Sequence, residues 1–142
     1  MLYSKKWRVL LSKQEANVNI AVYNHETKQT TFYNSDNNGV YYSASIIKVS
    51  ILTNLLKQHE TNNTTLSETE NSLAQPMIEE SSNDAATTLL TTYEGGFSAP
   101  DSLFVDLTMS QSQMNTSVWG LTTTTASDQV KLLNSLAYGI TP

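Results

Sequence analysis

The sequence contains no cysteine, only two histidines and few basic residues. Without cysteine there is neither a disulfide framework nor a thiolate metal site, and His25 and His59 lie far apart in the chain, so no metal site is expected. Eight basic residues against thirteen acidic ones give a formal net charge of −5. Because the basic residues are scattered, neither nucleic acid nor an anionic membrane is an expected partner. The expected partner is a small molecule or a peptide, and no cofactor is implied.

The sequence also lacks an apolar run of the length of a signal peptide or a membrane span. Its first eleven residues carry Lys5, Lys6 and Arg8 among a few apolar side chains, and no long apolar run follows them. No membrane span is therefore predicted, and any export signal would have to precede Met1.

The length and the pattern of the chain predict a single domain. A chain of 142 residues can form one ordinary domain with its own core and is short for two. No repeat or interior linker divides it. We expect one domain over residues 1–142, with an N-terminal segment at residues 1–16, a β-hairpin at residues 17–34 and a helical lobe at residues 43–139.

The first half of the chain predicts a hairpin followed by a central helix. Val18 to Asn24 alternates apolar and polar residues, and Thr30 to Tyr33 is β-branched and aromatic, which together favour two antiparallel strands. After a polar turn, Ser43 is predicted to cap a helix that reaches about His59. The apolar face of this helix is wide enough for a buried, central position.

Several shorter helices are predicted after the central one. Ser67 and Glu70 have the spacing of a capping box for a helix through Glu79, which Pro76 is expected to kink or interrupt. Asp84 is predicted to cap the next helix, which stops at a glycine pair.

The C-terminal part also predicts helices only. A short helix is expected from about Pro100 to Leu107, and the β-branched run Thr122 to Thr125 leads into a helix over Ala126 to Tyr138. The predicted order of elements is thus two strands and then helices alone.

Two residues at the start of the central helix could carry chemistry. Ser45 and Lys48 lie three positions apart, so they share a helix face, and the apolar neighbours of Lys48 would lower its pKa towards that of a useful base. The spacing by itself is weak evidence, because seventeen serines and seven lysines predict roughly one such pair by chance. From this element alone, a core helix with a solvated lysine is the alternative.

A second motif makes the pattern specific. Ser81-Ser82-Asn83, followed by Asp84-Ala85-Ala86, lies between two predicted helices. With Ser45 and Lys48 before it and the Thr122 to Ala126 run after it, the chain resembles the class A β-lactamase and penicillin-binding family, which has these landmarks in the same order. The resemblance extends from about residue 17 to the C-terminus. It implies an α+β fold, in which a helical lobe packs on an antiparallel sheet and this chain supplies only the N-terminal hairpin.

The resemblance also implies a role for each matching residue. Ser45 would be the acylated nucleophile, with its backbone N–H as half of an oxyanion hole, and Lys48 the proton acceptor. Ser81 would relay a proton to the leaving nitrogen, and Asn83 would bind the substrate amide and help to hold Lys48. Ser82 replaces an aspartate of the family at a mainly structural position. The implied substrate is a β-lactam or a D-Ala-D-Ala-like amide, and the implied location is extracellular or at the cell surface.

The glutamate with which class A enzymes activate water has no counterpart in the sequence. The family carries it in a Glu-x-x-Leu-Asn stretch, which does not occur here. The acidic residues in the corresponding region are Glu94, Asp101 and Asp106, and we interpret all three as caps or solvated charges. The site is therefore expected to acylate but to release the acyl group slowly.

The Lys-Thr-Gly strand of the family is also missing. Neither Lys-Thr-Gly nor Lys-Ser-Gly occurs, and the last lysine is Lys131 in a predicted helix. Because two strands alone would leave the sheet with an exposed edge, we expect the chain to be an N-terminal piece of a longer protein or to borrow strands from a partner chain. The alternatives to an enzyme are a non-catalytic remnant or cell-surface binding module and a plain helical structural domain.

Overall fold

The N-terminal quarter of the molecule is a helix followed by a β-hairpin. In a computed structural model, which describes residues 2–35 and 39–139, helix α1 spans Leu2–Leu11 and packs against the second strand of the hairpin. The strands are β1, Asn19–Asn24, and β2, Gln29–Asn34, paired antiparallel in one register. The predicted hairpin is confirmed, whereas α1 was not predicted.

Helix α2, Ile47–Thr61, is the centre of the fold, as predicted. Its buried stripe, Ile47, Ile51 and Leu55, joins a core that includes Met77, Leu89, Leu90, Leu103, Phe104 and Leu132. A turn of 3-10 helix, Ala44–Ile46, precedes it. The prediction that Ser43 caps this helix is wrong. The Ser43 side chain makes no capping bond, and its backbone N–H donates instead to the Thr122 carbonyl at 2.8 Å.

Helix α3, Glu68–Glu79, begins at the predicted capping box. The Ser67 hydroxyl accepts from the Glu70 backbone N–H, and the Glu70 carboxylate accepts from the Ser67 N–H. The helix runs through Pro76 without ending there, so the expected interruption is wrong. Pro76 has no N–H and therefore cannot donate a backbone hydrogen bond within the helix. The helix ends three residues later, and there the Pro76 carbonyl accepts from the Glu80 and Ser82 N–H groups.

An ion pair joins α2 to α3. His59 Nε2 lies 2.9 Å from Glu70 Oε1. Burial by itself would raise the pKa of Glu70. The opposite effect is larger: hydrogen bonds from the Ser67 hydroxyl, from His59 and from the Ser67 backbone, together with the charge of His59, lower the pKa below its usual value. The pair holds the C-terminal end of α2 against the N-terminal turn of α3.

Helix α4, Asn83–Thr88, is capped by a different residue than predicted. Ser82 has an extended backbone and its hydroxyl accepts from the Ala85 N–H at 3.3 Å, so Asp84 lies in the first turn and is not the cap. The helix continues as a π-helical turn over Leu89–Tyr93. Ser82 is a good N-cap because its short hydroxyl reaches the third N–H of the helix.

The C-terminal part adds a second pair of strands. Helix α5 spans Asp101–Asp106, and a 3-10 turn at Trp119–Leu121 leads into β4, Thr123–Thr124. Strand β4 pairs antiparallel with β3, Tyr41–Tyr42. The expectation of helices alone after the hairpin is therefore wrong. Two-residue strands have no detectable period of their own and form only because distant segments meet.

Helix α6, Ala126–Tyr138, closes the described chain as predicted. The Thr125 hydroxyl caps it by accepting from the Asp128 N–H, and Gly139 ends it in the left-handed conformation. The molecule is thus a mixed α+β fold with a small antiparallel hairpin and mostly helices, which confirms the predicted fold class. In residues 2–35 and 39–139, no helix is long and apolar enough to cross a membrane.

Candidate active site

Ser45 lies on a strained turn that is tied to the C-terminal part of the chain. Ala44, directly before it, has a φ of +46°, which is unusual for a residue with a side chain. The bond between the Ser43 N–H and the Thr122 carbonyl and the β3–β4 pair hold the turn on that side. Such backbone strain costs about 1–3 kcal/mol and persists where the surroundings impose it, often at functional sites. Ser45 itself is exposed to solvent.

Lys48 lies beneath Ser45 and is almost fully buried. Only 2% of its surface is exposed, and its Nζ lies 3.2 Å from the Ser45 Oγ. The Nζ also lies 2.7 Å from the Ser81 carbonyl oxygen, 2.9 Å from the Ser81 Oγ and 2.8 Å from the Asn83 Oδ1. Burial lowers the pKa of Lys48 from the ordinary value of a lysine. No carboxylate in the described part of the chain pairs with Lys48 to oppose this effect.

The partners of Lys48 are all oxygens that can accept from its Nζ. The Ser81 carbonyl and the Asn83 amide oxygen can only accept, whereas the hydroxyls of Ser45 and Ser81 can accept or donate. A neutral amine can therefore keep its two N–H groups on the carbonyl and amide oxygens and take a proton from a hydroxyl, and an ammonium can donate to the same oxygens.

Ser81 and Asn83 come from the connection between α3 and α4. Ser81 has a φ of +56°, and this turn places both its carbonyl and its hydroxyl on Lys48. Its Oγ also donates to the Ser45 Oγ at 3.2 Å, so Ser45, Lys48 and Ser81 form a closed triangle. Asn83 is the first residue of α4. The structure thus brings together all four residues singled out in the sequence.

Trp119 is a neighbour of the site that the sequence pattern did not identify. Its ring centroid lies 5.4 Å from the Lys48 Nζ, and its Nε1 donates to the Thr87 Oγ1 at 3.1 Å. In the sequence, Trp119 is equally suited to the core or the rim of any fold. Its position beside Lys48 depends on tertiary structure, because the 3-10 turn Trp119–Leu121 contacts the 3-10 turn that contains Ser45.

The three acidic residues of the C-terminal region are held away from Ser45. The interpretation of Glu94 as a cap or solvated charge is wrong, because it is 7% exposed and its Oε2 accepts from Asn54 Nδ2 at 2.6 Å. Burial raises the pKa of Glu94 to about 7, although the Asn54 bond opposes the rise. Asp101 accepts from the Met114 N–H at 2.8 Å, and Asp106 pairs with Lys57.

An apolar groove adjoins the site. It has a volume of about 420 Å³, and its lining includes Ile46, the residue after Ser45, with Tyr42 and Thr125. A larger cleft of about 790 Å³ lies between α5 and the loop that follows it, and none of the four site residues lines either cavity. The chemistry of the side chains, rather than cleft size, therefore locates the candidate site. In the described residues, no group of three or more His, Cys, Asp or Glu side chains could hold a metal ion.

The comparison with protein families finds a match in the N-terminal part of the chain. Residues 3–72, about half of the chain, match the model of the beta-lactamase enzyme family, and the matched segment contains the hairpin, Ser45 and Lys48. This class consists of serine hydrolases of the β-lactamase type. The N-terminal part of the chain is therefore similar to the beta-lactamase enzyme family, which supports a serine hydrolase of the β-lactamase type in general. A search of curated proteins found no match.

Proposed function

We propose that this protein forms an acyl-serine at Ser45 with a β-lactam or a D-Ala-D-Ala-like amide. The observation that carries the proposal is the buried Lys48, whose Nζ lies 3.2 Å from an exposed serine hydroxyl while two oxygens occupy its N–H groups. A lysine of lowered pKa in this position is a general base for the serine.

In the proposed acylation, Ser45 Oγ bonds to the substrate carbonyl carbon while its proton passes to Lys48 Nζ. The transfer is direct or runs through the Ser81 hydroxyl, which lies within 3.2 Å of both atoms. The developing oxyanion accepts from the backbone N–H of Ser45, at the first turn of the helical segment. The carbon–nitrogen bond then breaks, and the leaving nitrogen takes a proton from Ser81, which Lys48 replenishes.

In this proposal, Asn83 binds the substrate through its side-chain amide nitrogen. Its Oδ1 accepts from Lys48, so the group that it can offer to a substrate is its NH₂, a hydrogen-bond donor. An exposed donor beside the nucleophile suits the carbonyl of an amide substituent on the substrate. Asn83 thereby links the placement of the base to the binding of the substrate.

Labelling with a fluorescent penicillin tests the proposal. The wild-type protein is expected to gain a covalent label and the mass of one intact penicillin, since ring opening loses no atoms, and Ser45→Ala is expected to gain neither. Ser110→Ala, which alters an exposed serine outside the site, is the matched control and should label like the wild type. A folded wild-type protein that takes no label, or equal labelling of Ser45→Ala, would overturn the proposal in favour of a non-catalytic binding module.

The acyl-serine is expected to be long-lived. In residues 2–35 and 39–139, Glu94, Asp101 and Asp106 are bound to other partners, and no carboxylate contacts Ser45 to activate a water molecule. A chromogenic cephalosporin should therefore give a burst equivalent to one acylated serine per chain, followed by slow turnover. Rapid steady-state hydrolysis without a burst would contradict this expectation, and Ser45→Ala should show no burst.

A further inference from the structure

The face of Lys48 that is not occupied by oxygens is covered by an aromatic ring. The Trp119 centroid lies 5.4 Å from the Nζ, within the range at which a ring attracts a cation through its negative face. Lys48 is buried here, so the attraction is not shared with bulk water. Cation–ring attraction is strongest in such desolvated settings.

The ring is held in this position from two sides. Its Nε1 donates to Thr87 on α4, the helix that begins with Asn83. On the other side, Trp119 is followed by Thr122, whose carbonyl accepts from the Ser43 N–H and whose buried hydroxyl accepts from the Asn115 N–H. The indole is thus fastened both to the turn that carries Ser45 and to the helix that carries Asn83.

We propose that Trp119 is a positioning residue of the site, whose ring stabilises the positive charge that Lys48 acquires when it takes the proton of Ser45. The role rests on the acyl-serine chemistry proposed above. The neutral amine gains little from the ring, whereas the ammonium formed during acylation gains much more. The interaction therefore strengthens as the proton moves, which lowers the barrier to acylation.

Other charged groups around α2 do not supply this stabilisation. Of the carboxylates on or next to the elements that pack against α2, Glu70 is bound by His59, Glu94 by Asn54 and Asp128 by Lys131, while Glu68 and Glu79 of α3 are exposed. None of the hydrogen bonds and ion pairs in the described part of the chain joins one of them to Lys48. Besides the oxygens of Ser81 and Asn83, the aromatic ring is then the group that stabilises the ammonium at this site.

Substitution of Trp119 tests the role through a rate and a pH profile. Trp119→Leu keeps an apolar cover but loses the ring, so labelling by a fluorescent penicillin should slow by about 3- to 30-fold. The midpoint of its rise with pH should move down by about 0.5–1 unit, because the ammonium form of Lys48 is no longer favoured. Trp119→Phe should restore most of the rate. Thr87→Val, which removes the acceptor of the indole N–H, should cause smaller changes in the same directions.

The control is Val118→Ala, an exposed residue beside Trp119, which should leave rate and midpoint unchanged. The proposal would be overturned if the labelling rate of Trp119→Leu rose with pH at the wild-type midpoint. It would also be overturned by a higher midpoint, because exposure of Lys48 to water alone would raise its pKa.

A second readout is independent of acylation. In a Trp7→Phe background, Trp119 is the remaining tryptophan, and its fluorescence should change with pH as Lys48 titrates and stay constant when Lys48→Met is added. If the fluorescence changes with pH but the protein takes no label, the result supports the contact between the Trp119 ring and the Lys48 ammonium and refutes the acyl-serine chemistry. Constant fluorescence in both proteins would overturn the role of Trp119 even if Ser45 is acylated.

Discussion

Lys48→Met is expected to slow acylation of Ser45 by about 100- to 10,000-fold, the usual contribution of a general base. Methionine fills the buried space without a lone pair that can take a proton. Lys48→Arg should be equally slow, because a guanidinium stays protonated. The measurement is the rate of labelling by a fluorescent penicillin. Lys57→Met, at a half-buried position of the same helix where the lysine pairs with Asp106 away from the site, is the matched control and should label at the wild-type rate.

The pH dependence of the wild-type rate checks the same base. Burial lowers the pKa of Lys48 below 10.5, so the fraction of neutral amine, and with it the rate, should rise with pH and level off below the range of an ordinary lysine. Acylation by Lys48→Met at the wild-type rate, or a wild-type rate that still climbs above pH 10.5, would show that Lys48 is not the base.

Glu94→Gln is expected to stabilise the protein at pH 8 and to change its stability little at pH 5. The folded-state pKa of Glu94 is raised from 4.5 to about 7, so between these values the folded state binds more protons than the unfolded state, and stability falls as pH rises. A shift of this size corresponds to about 3 kcal/mol of unfolding free energy lost by pH 8. Glutamine removes that loss, because its amide carries no charge at any pH.

Urea unfolding at pH 5 and pH 8 measures the effect. The wild-type free energy of unfolding should fall between pH 5 and pH 8 by about 2.5 kcal/mol more than that of Glu94→Gln, since a smaller part of the loss is already present at pH 5. Asn54 can still donate to the glutamine oxygen, and the NH₂ takes the place of Glu94 Oε1, which is buried without a partner. Glu79→Gln, an exposed glutamate, is the control and should keep the wild-type pH dependence. The same pH dependence in Glu94→Gln would contradict the buried, titrating carboxyl.

Local signals predicted the elements whose stabilising contacts lie close in sequence. The hairpin was predicted from its alternation, α3 from the capping box of Ser67 and Glu70, and α6 from the segment that follows the β-branched run Thr122 to Thr125. The cap of α4 was predicted wrongly, since Ser82 rather than Asp84 caps it. Either side chain can accept from a helix N–H, and the backbone angle of the preceding turn decides which one does.

Contacts between distant segments could not be predicted in this way. Strands β3 and β4 each have two residues, and they exist because Tyr41–Tyr42 meets Thr123–Thr124. The burial of Glu94 depends on Asn54, a residue of α2 far away in the chain. The partner of a charged side chain, and thus its pKa, is a property of the packed molecule.

The sequence by itself determined the fold class and which residues could carry chemistry. Ser45 and Lys48 were named from their helical spacing, and the resemblance to the β-lactamase and penicillin-binding family added Ser81 and Asn83 and gave each residue a role. Only the tertiary structure decided that Lys48 is buried against two acceptors, that Trp119 covers it and that Ala44 and Ser81 adopt positive φ angles. Those features arise where three separate segments meet, and the desolvation and orientation that make a lysine a base exist only in that assembly.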